Sequence, residues 1–276
     1  MIDLHTHSTA SDASFSPADL IALAKRKNLK AIALTDHDTT DGLAEAREAA
    51  AKYNIEFIPG IELSARFNGE LHIVGLYIDE KNEKLNASMD FLNSARNERN
   101  KNIIKLLQDE GLSITFEEAE KLSGGGMMGR THIAQILTNK GYTLSVKEAF
   151  KKYLSPGKIG FCDYERLSPK ECIELIKAAG GIAVLAHCHY LKMDNDELTE
   201  FIKNLKNYGL DGIETYYSEY TFKNHSDYTK IAHKLDLLES GGSDFHGMYK
   251  PHIELGSGMG NLLVPYSILE KIKQKV

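Results

Sequence analysis

The chain has 276 residues, a formal net charge of -6 at pH 7, 42% hydrophobic residues and 26% charged residues. This length suffices for one large α/β barrel or for two ordinary domains, and the composition is that of an ordered globular protein. The acidic balance and the lack of a Lys/Arg stripe exclude a general binder of double-stranded nucleic acid, so a polyanionic substrate would need a local positive site or metal ions.

Short apolar runs, typical of strands buried on both faces, recur along the chain. In chain order they are Met1–Leu4, Ala31–Leu34, Glu56–Ile61, Leu71–Leu76, Ile182–Ala186, a strand before the Tyr-rich segment Tyr216–Tyr220, and Leu235–Ser240. Helical patterns lie between several of them, and those that start at Ser16-Pro17 and Ser168-Pro169 have a Ser N-cap followed by proline. Alternation of strand and helix predicts a parallel sheet, and about seven such units predict a closed barrel whose strand ends meet at one mouth.

Residues near 90–160 interrupt this alternation. Helical stretches are predicted there at Asn86–Glu110, Phe116–Leu122, Thr131–Gly141 and Val146–Tyr153. We expect a barrel domain formed by residues 1–90 and 160–276, and a helical insertion of residues 91–159, called the cap below, that covers one side of the mouth.

The sequence also bears on the cellular setting. No apolar run approaches the roughly 18–20 residues of a membrane span, and Met1–His5 contains no basic leader. The cysteines Cys162, Cys172 and Cys188 form no Cys-x-x-Cys pair and cannot all be bridged, which favours a reducing compartment. We therefore expect a soluble cytoplasmic protein with no membrane partner.

Side chains able to bind a metal stand at or just beyond the ends of these runs. His5 and His7 share one face of a strand because side chains alternate with a period of two, and Asp244 and His246 repeat the arrangement. The other candidates are Asp12, His37, Glu62, His72 and His187. Imidazole with carboxylate is the ligand set expected for Zn²⁺, Mn²⁺ or Fe²⁺, and a barrel mouth is where such side chains collect.

Each candidate alone has a simpler interpretation. A lone histidine at a strand end, such as His72, is more often a hydrogen-bonded structural residue. Asp12 could cap a turn, and Thr35–Asp38 could be an ordinary polar loop. Nine candidate ligands at the ends of successive strands favour a metal site over these alternatives.

These motifs resemble the PHP (polymerase and histidinol phosphatase) family. The residues that carry the resemblance span the chain: His5-x-His7, Asp12, Thr35–Asp38, Pro59–Glu62, His72, Ala186-His187 and Ser243-Asp244-x-His246. The chain is most similar to the stand-alone phosphoesterases of this family, which include nucleoside 3′,5′-bisphosphate phosphatases and 5′-to-3′ oligoribonucleases. The resemblance implies an α/β fold, namely a distorted seven-stranded (β/α) barrel with a helical insertion.

The resemblance also implies three divalent metal ions (Mn, Fe or Zn) at the mouth. Carried over by motif, the ligands are His5, His7, Glu62 and Asp244 for the first ion, Glu62 as a bridge with His72 and His187 for the second, and Asp12, His37 and His246 for the third. Clustered divalent ions lower the pKa of a bridging water and neutralise a bound phosphate. We therefore expect in-line attack of hydroxide on phosphorus.

Three further residues are assigned to the catalytic machinery. Asp36 and Asp38 flank His37 and are expected to orient it or its neighbours, with a role as loop hydrogen-bond acceptors as the alternative. Many relatives have His-Pro after the fifth strand, where this chain has His187-Cys188-His189. His189 could be an extra proton donor or a spare ligand, and the alternative is a solvated loop residue.

Substrate-binding residues are expected mainly in the cap. Gly129-Arg130-Thr131-His132 opens a helix, so that backbone N–H groups and a guanidinium could face an anion together. A Gly-Arg-x-His segment contacts a phosphate in the phosphatases that the chain resembles, which assigns Arg130 and His132 to phosphate binding; the alternative is a surface helix start with a salt bridge. Lys158 near the end of the cap and His225 after the Tyr-rich segment are weaker candidates.

The predicted function is a metal-dependent phosphoesterase acting on a phosphorylated small molecule, with the 3′-phosphate of nucleoside 3′,5′-bisphosphates as the leading target. A 5′-to-3′ exonuclease on short RNA and a histidinol-phosphate phosphatase stay open as alternatives. A non-catalytic structural module is disfavoured, because such modules are expected to lose ligands and all nine positions here hold one.

Overall fold

The computed structural model describes residues 1–124 and 126–276, and its centre is a seven-stranded sheet whose strands lie side by side in chain order. The strands are β1 (Ile2–Asp3), β2 (Ala31–Leu34), β3 (Glu56–Ser64), β4 (His72–Leu76), β5 (Ile182–Leu185), β6 (Gly212–Tyr217) and β7 (Leu238–Gly242). Hydrogen bonds from Leu4 N to Gly241 O and from Asp244 N to His5 O join the extensions of the first and last strands. The sheet is therefore a nearly closed barrel, which confirms the predicted fold class.

Strand β4 departs from the predicted parallel arrangement. It pairs antiparallel with β3 and β5, whereas the other neighbouring strands pair in parallel. Only residues 65–71 separate β3 from β4, which is too short for the crossover that parallel strands require. The reversal places the start of β4, where His72 lies, at the edge of the barrel at which the other strands end.

Successive side chains of a strand point alternately into the barrel and outward to the surrounding helices. In β2, Ala31 and Ala33 belong to the cluster inside the barrel, whereas Ile32 and Leu34 pack with the surrounding helices. The interior cluster is completed by residues near the end of the chain, among them Leu269. The last helix thus covers the end of the barrel that lies away from the mouth.

The helices of the described ranges are, in chain order, α1 (Pro17–Arg26), α2 (Leu43–Tyr53), α3 (Glu83–Asp109), α4 (Phe116–Ser123), α5 (Arg130–Asn139), α6 (Val146–Ala149), α7 (Pro169–Ala178), α8 (Asn195–Asn207), α9 (Phe222–Lys234) and α10 (Tyr266–Lys273). Ser16 and Ser168 cap α1 and α7 by accepting hydrogen bonds from Asp19 N and Glu171 N, and a proline follows each. These two helices begin where the Ser-Pro motifs predict.

The chain between β4 and β5 contains helices α3 to α7, a π-helical turn at Phe150–Leu154 and, among its described residues, no strand. Helix α3 is continuous and crosses the predicted domain boundary at residue 91. Leu85 and Leu92 pack with the core around the barrel, whereas Ile103 and Leu107 pack in a separate core of the cap. The division into two domains stays a prediction.

Two further observations concern the predicted cellular setting. None of the helices in the described ranges combines the length and the apolar character needed to cross a membrane. Cys162, Cys172 and Cys188 are free thiols, and this agrees with the unpaired cysteines expected from their spacing.

Candidate metal centre and arginine cluster

The nine predicted metal ligands lie together at the mouth of the barrel. All except Asp12, which lies in the loop after β1, stand on a strand or within a few residues of one. Backbone hydrogen bonds hold their segments side by side, as between Asp38 N and Glu62 O at 2.9 Å. Gly242 allows β7 to approach β1 closely, because a Cβ at this position would overlap the backbone of His5.

Glu62 lies at the centre of this group. Its Oε1 is 3.0 Å from His72 Nδ1 and from His187 Nε2 and 3.2 Å from His5 Nε2, and its Oε2 is 2.9 Å from His37 Nδ1. Burial alone would raise the pKa of this carboxyl group, but the charges of His5, His72 and His37 hold the pKa well below its ordinary value. One carboxylate thus contacts imidazoles from four other segments, as a bridging ligand must.

Two more carboxylates complete the group. Asp244 Oδ1 lies 3.1 Å from His7 Nε2 and 3.4 Å from His246 Nδ1. Asp12 Oδ1 lies 3.3 Å from His246 Nε2 and 3.8 Å from His37 Nε2. Burial opposes the ionised form of Asp12, but His246 and His37 hold the pKa of its carboxyl group well below its ordinary value.

The polar atoms of this group fit divalent cations. Within the described part of the chain, several are buried and have no hydrogen-bond partner: His5 Nε2, both ring nitrogens of His7, Asp12 Oδ1, His37 Nδ1 and Glu62 Oε2. Buried atoms of this kind destabilise a fold unless a ligand satisfies them. Imidazole nitrogens and carboxylate oxygens that converge in this way match the donors that Mn²⁺, Fe²⁺ and Zn²⁺ use in proteins.

Donor atoms that lie within 4.8 Å of one another define the possible sites more closely. The groups are His5, His7 and Asp244; His7, Asp12, His37 and His246; His37, Glu62 and His72; and Glu70, His72 and His187. They overlap the predicted ligand sets, with His7 shared between two groups and Glu70 added. Glu70 is an exposed residue missed by the sequence analysis, and its place two residues before His72 is the signal that could have found it. Which residues bind which ion stays a prediction.

Asp36 supports a loop of the mouth. It accepts hydrogen bonds from Ser8 N at 2.7 Å, from Ser8 Oγ at 2.6 Å and from Ser11 Oγ. Burial raises the pKa of its carboxyl group, and these hydrogen bonds oppose the rise. Asp36 therefore holds the segment that leads to Asp12, and it does so as a loop hydrogen-bond acceptor.

Asp38 connects the barrel to the cap. Its Oδ1 accepts a hydrogen bond from Ser64 N at the end of β3, and its Oδ2 pairs with Arg96 of helix α3. Both partners lie outside the predicted ligand set. The catalytic roles assigned to Asp36 and Asp38 stay predictions, and their contacts favour positioning.

Glu214 on β6 holds two of the predicted ligands and was missed by the sequence analysis. His5 Nδ1 donates to Glu214 Oε1 at 2.7 Å, and the backbone N–H of His187 donates to Oε2 at 2.6 Å. Burial alone would lower the pKa of His5, but Glu62 and Glu214 raise it well above its ordinary value. An acidic residue inside the apolar run before the Tyr-rich segment is unusual for a buried strand, and this is the signal that could have found Glu214.

His189 lies in a 3₁₀ turn, Cys188–Leu191, beside the metal-ligand group. Its Nε2 is 3.4 Å from Glu219 Oε2, and its ring packs on Tyr190 with 4.0 Å between the centroids. These contacts are with residues of the rim and not with the predicted ligands. Its role as a proton donor stays a prediction.

An arginine cluster, defined here as Arg96, Arg99, Arg130 and Arg166, lies where the cap meets the barrel. The guanidinium carbons of Arg99, Arg96 and Arg166 are 4.4, 5.4 and 5.5 Å from the centroid of the Tyr164 ring. Burial, together with Arg96, lowers the pKa of Arg99 to about 9, and Arg130 and Arg166 add to this effect. The sequence analysis predicted only Arg130 of this cluster.

Carboxylates neutralise only part of this charge. Arg96 pairs with Asp38 and Arg166 with Asp163. Arg99 is only 4% exposed, and its acceptor is the neutral side chain of Asn100. A buried guanidinium without a carboxylate partner within the described residues favours binding of an anion.

The two predicted phosphate-binding residues of the cap have different surroundings. Arg130 belongs to the arginine cluster, where it lies over Phe150 and Phe161 and donates to Leu154 O at 3.4 Å. His132 is buried, and its Nδ1 accepts a hydrogen bond from Gly129 N. The structure therefore places Arg130 in the arginine cluster and uses one side of the His132 ring to hold the start of α5. The role of both residues in phosphate binding stays a prediction.

Lys158 and His225, the weaker candidates, lie elsewhere. Lys158 is exposed in a turn after the π-helical segment. His225 lies on α9, where its ring packs on Tyr216 and its Nδ1 donates to Thr215 O at 2.8 Å. In the described part of the chain neither side chain contacts the metal-ligand group or the arginine cluster, and their role in substrate binding stays a prediction.

Comparison with known proteins agrees with this geometry. The family model described as the PHP domain matches residues 3–207. A 5′-3′ exoribonuclease of Haemophilus influenzae is 36% identical over 88% of this chain and 89% of its own length, and a 3′,5′-nucleoside bisphosphate phosphatase of Chromobacterium violaceum is 34% identical over 89% and 87%. A solved structure from Bifidobacterium adolescentis, assigned as a metal-dependent phosphoesterase, superposes with a TM-score of 0.90 at 28% identity and covers 99% of this chain and 96% of that one. The predicted resemblance is thereby confirmed, and the chain belongs to the PHP domain family.

Proposed function

We propose that the protein, a metal-dependent phosphoesterase of the PHP family, hydrolyses the 3′-phosphate of nucleoside 3′,5′-bisphosphates. The observation that carries this proposal is that a group of candidate metal ligands and a group of buried guanidinium groups adjoin each other at the mouth. One is the group of imidazoles and carboxylates around Glu62, and the other is the arginine cluster. A substrate with two phosphates would use both sites, one for hydrolysis and one for anchoring.

Direct contacts join the two sites. Thr131, the neighbour of Arg130, donates a 3.0 Å hydrogen bond to Asp12 Oδ2. Arg96 pairs with Asp38, the neighbour of His37. Because Arg130 is next to a residue that touches a predicted ligand, and Arg96 pairs with the neighbour of another predicted ligand, a compact bisphosphate is expected to reach both sites.

The arginine cluster has the chemistry of a phosphate anchor. Guanidinium groups form paired hydrogen bonds to phosphate oxygens. A phosphate bound beside Arg99 and Arg130 would offset the repulsion between these buried cations. We assign the 5′-phosphate to this cluster because it leaves the 3′-ester facing the predicted metal ligands.

For the metal centre we infer three divalent ions, Mn, Fe or Zn, held by the nine predicted ligands. Such ions supply a nucleophile by lowering the pKa of water, and they offset the charge of the phosphate. The protein's own residues hold the ligands in place. Glu214 orients His5 and the His187 backbone, Asp36 holds the loop that leads to Asp12, and His189 is the candidate proton donor at the rim.

A 5′-to-3′ exonuclease is the second candidate, and the relative from Haemophilus influenzae with that activity favours it. The chemistry is closely related, because a 5′-phosphorylated RNA also presents a terminal phosphate next to a 3′-ester. Both substrates would place the 5′-phosphate at the arginine cluster and the reacting ester at the metal-ligand group. Histidinol phosphate carries one phosphate, so it would leave the arginine cluster without a ligand.

The test compares adenosine 3′,5′-bisphosphate, 5′-AMP, histidinol phosphate and a short 5′-phosphorylated RNA with the Mn²⁺-loaded protein. We expect the bisphosphate to be hydrolysed fastest, with 5′-AMP accumulating. Stepwise shortening of the RNA at a higher kcat/KM would favour the exonuclease instead. If all four compounds remain intact, the proposal is wrong.

An Arg99→Met variant sharpens this test. It should raise the KM for the bisphosphate while leaving hydrolysis of p-nitrophenyl phosphate, which has a single phosphate, close to the wild-type rate. Arg47→Met is the matched control, because Arg47 pairs with Glu80 on the surface away from the mouth. An equal loss of kcat/KM for both substrates would argue against a role of Arg99 in anchoring the second phosphate.

A further inference from the structure

Lys250 is a cation at the mouth that neither the motifs nor the proposed ligand sets include. It follows the 3₁₀ turn Gly247–Tyr249 after β7, and its Nζ lies 2.7 Å from Asp244 Oδ2. Its side chain is 34% exposed. The amino group is therefore anchored to Asp244, at the end of a side chain that is one-third exposed.

Asp244 shows how near this amino group is to the metal-ligand group. The other oxygen of the same carboxylate, Oδ1, lies 3.1 Å from His7 Nε2 and 3.4 Å from His246 Nδ1. Lys250 is thus separated from those imidazoles by the width of one carboxylate. An ammonium has three N–H donors, and Asp244 accepts one of them.

The orientation of Asp244 does not depend on Lys250 alone. The hydroxyl of Tyr217 donates to the same Oδ2 at 2.7 Å. Without the lysine, this oxygen would still have a hydrogen-bond partner. If Lys250 served only to orient Asp244, it would repeat the role of Tyr217. We therefore expect a separate role for the charge of Lys250 and for its remaining N–H donors.

The groups that face Lys250 come from three other segments. Glu70 is in the loop before β4, Tyr190 follows β5 and Glu219 follows β6. Burial opposes the ionised form of Glu70, but His72 and His187 lower the pKa of its carboxyl group, and the hydrogen bond with His189 lowers the pKa of Glu219; the charge of Lys250 adds to both effects. The arginine cluster lies on the cap and on the segment just after it, so Lys250 brings positive charge to the mouth from the barrel side.

We propose that Lys250 binds the phosphate group that undergoes hydrolysis. This inference rests on the proposed function, because it takes the metal-ligand group as the place where the ester is cleaved. Lysine binds phosphate as a point charge. Its remaining N–H groups donate to phosphoryl oxygens, whose negative charge must be stabilised during hydrolysis. In that step the oxygen of water forms a bond to phosphorus while the ester P–O bond breaks, and the ester oxygen leaves with the electron pair and takes up a proton from the water.

The experiment measures inhibition by inorganic phosphate and kcat/KM for p-nitrophenyl phosphate in Lys250→Met and Lys250→Arg, together with metal content. We expect Lys250→Met to bind phosphate about tenfold more weakly, with metal content at least equal to that of the wild type, because one charge-assisted hydrogen bond is lost. Lys250→Arg should recover most of the loss. Lys273→Met is the matched control, since Lys273 is 38% exposed and pairs with Glu56 away from the mouth.

Two results would overturn the inference. One is unchanged phosphate affinity in Lys250→Met. The other is a variant that loses both metal and phosphate affinity and regains both in excess Mn²⁺, because Lys250 would then act only through Asp244. The affinity for inorganic phosphate does not depend on which nucleotide is the substrate. A failure of the proposed bisphosphate activity would therefore appear in the comparison of the four substrates and not in this measurement.

Discussion

Thr131 at the start of α5 donates a 3.0 Å hydrogen bond to Oδ2 of Asp12 in the mouth of the barrel. Oδ1 of the same carboxylate faces His246 and His37. A residue of the cap therefore orients a predicted metal ligand, while its neighbour Arg130 belongs to the arginine cluster. The start of one helix thus connects the place where phosphate is expected to bind with the place where it is expected to be cleaved.

Replacing Thr131 with valine removes this donor and keeps the shape of the side chain. Asp12 Oδ2 then has no partner from the cap, and the carboxylate is free to rotate. We expect the Mn²⁺ concentration that gives half-maximal hydrolysis of p-nitrophenyl phosphate to rise by about tenfold, as for other residues that orient metal ligands. Thr138→Val on the same helix is the control, because its hydroxyl donates to Ala134 O. The same Mn²⁺ requirement in both variants would contradict the connection.

His5→Ala removes a fully buried imidazole that contacts both Glu62 and Glu214. We expect turnover to fall to background and metal content to decrease, while the far-ultraviolet circular dichroism stays that of the wild type. His233→Ala, at an exposed histidine that pairs with Glu239, should keep full activity. Undiminished turnover by metal-replete His5→Ala would remove His5 from the metal centre.

Glu214→Gln tests a positioning role. An amide offers one acceptor where the carboxylate accepts from both His5 Nδ1 and His187 N, so one of these two donors must face an NH₂ group. We expect metal affinity and kcat to fall by about 10- to 100-fold, with KM for the bisphosphate little changed. Measuring metal content by equilibrium dialysis and kcat separately checks this, and a change confined to KM would show that Glu214 acts on the substrate instead.

The positions of the predicted metal ligands could be obtained from local patterns. The spacings of His5 with His7 and of Asp244 with His246 depend only on the period of a strand, and His37, Glu62 and His187 follow apolar runs. His72 stands near the start of its run, and the family resemblance assigns it to the metal site. Its place in the run, together with the short β3–β4 connection, could have indicated that this strand is reversed.

The arginine cluster could not be predicted in the same way. Arg96 and Arg99 lie on α3 and Arg166 lies far along the chain, and only packing around Tyr164 brings them together.

The predicted start of β7 was wrong for a related reason. The apolar run from Leu235 was assigned to the strand, but Leu235 is the C-cap of α9 and the strand begins only at Leu238, and short apolar runs do not distinguish these cases.

Arg99 connects the proposed anion site to stability. Its pKa is lowered to about 9 by burial and by its neighbouring guanidinium groups. A base whose pKa in the folded state is below its unfolded value costs stability while it is charged. The cost is therefore present at neutral pH, where the guanidinium is charged, and it is relieved when an anion binds.

Arg99→Met should consequently raise the Tm of the anion-free protein at pH 7 and abolish most of the further rise that 5′-AMP causes in the wild type. A gain of roughly 1 kcal/mol would shift Tm by about 2–4 °C in a protein of this size. Differential scanning fluorimetry with and without 5′-AMP, in metal-free buffer, separates this effect from the metal centre. Arg47→Met should keep the wild-type response to 5′-AMP. A lower Tm in Arg99→Met, with an unchanged response to 5′-AMP, would mean that the packing of Arg99 on Tyr164 outweighs its charge and that the arginine cluster is not the phosphate anchor.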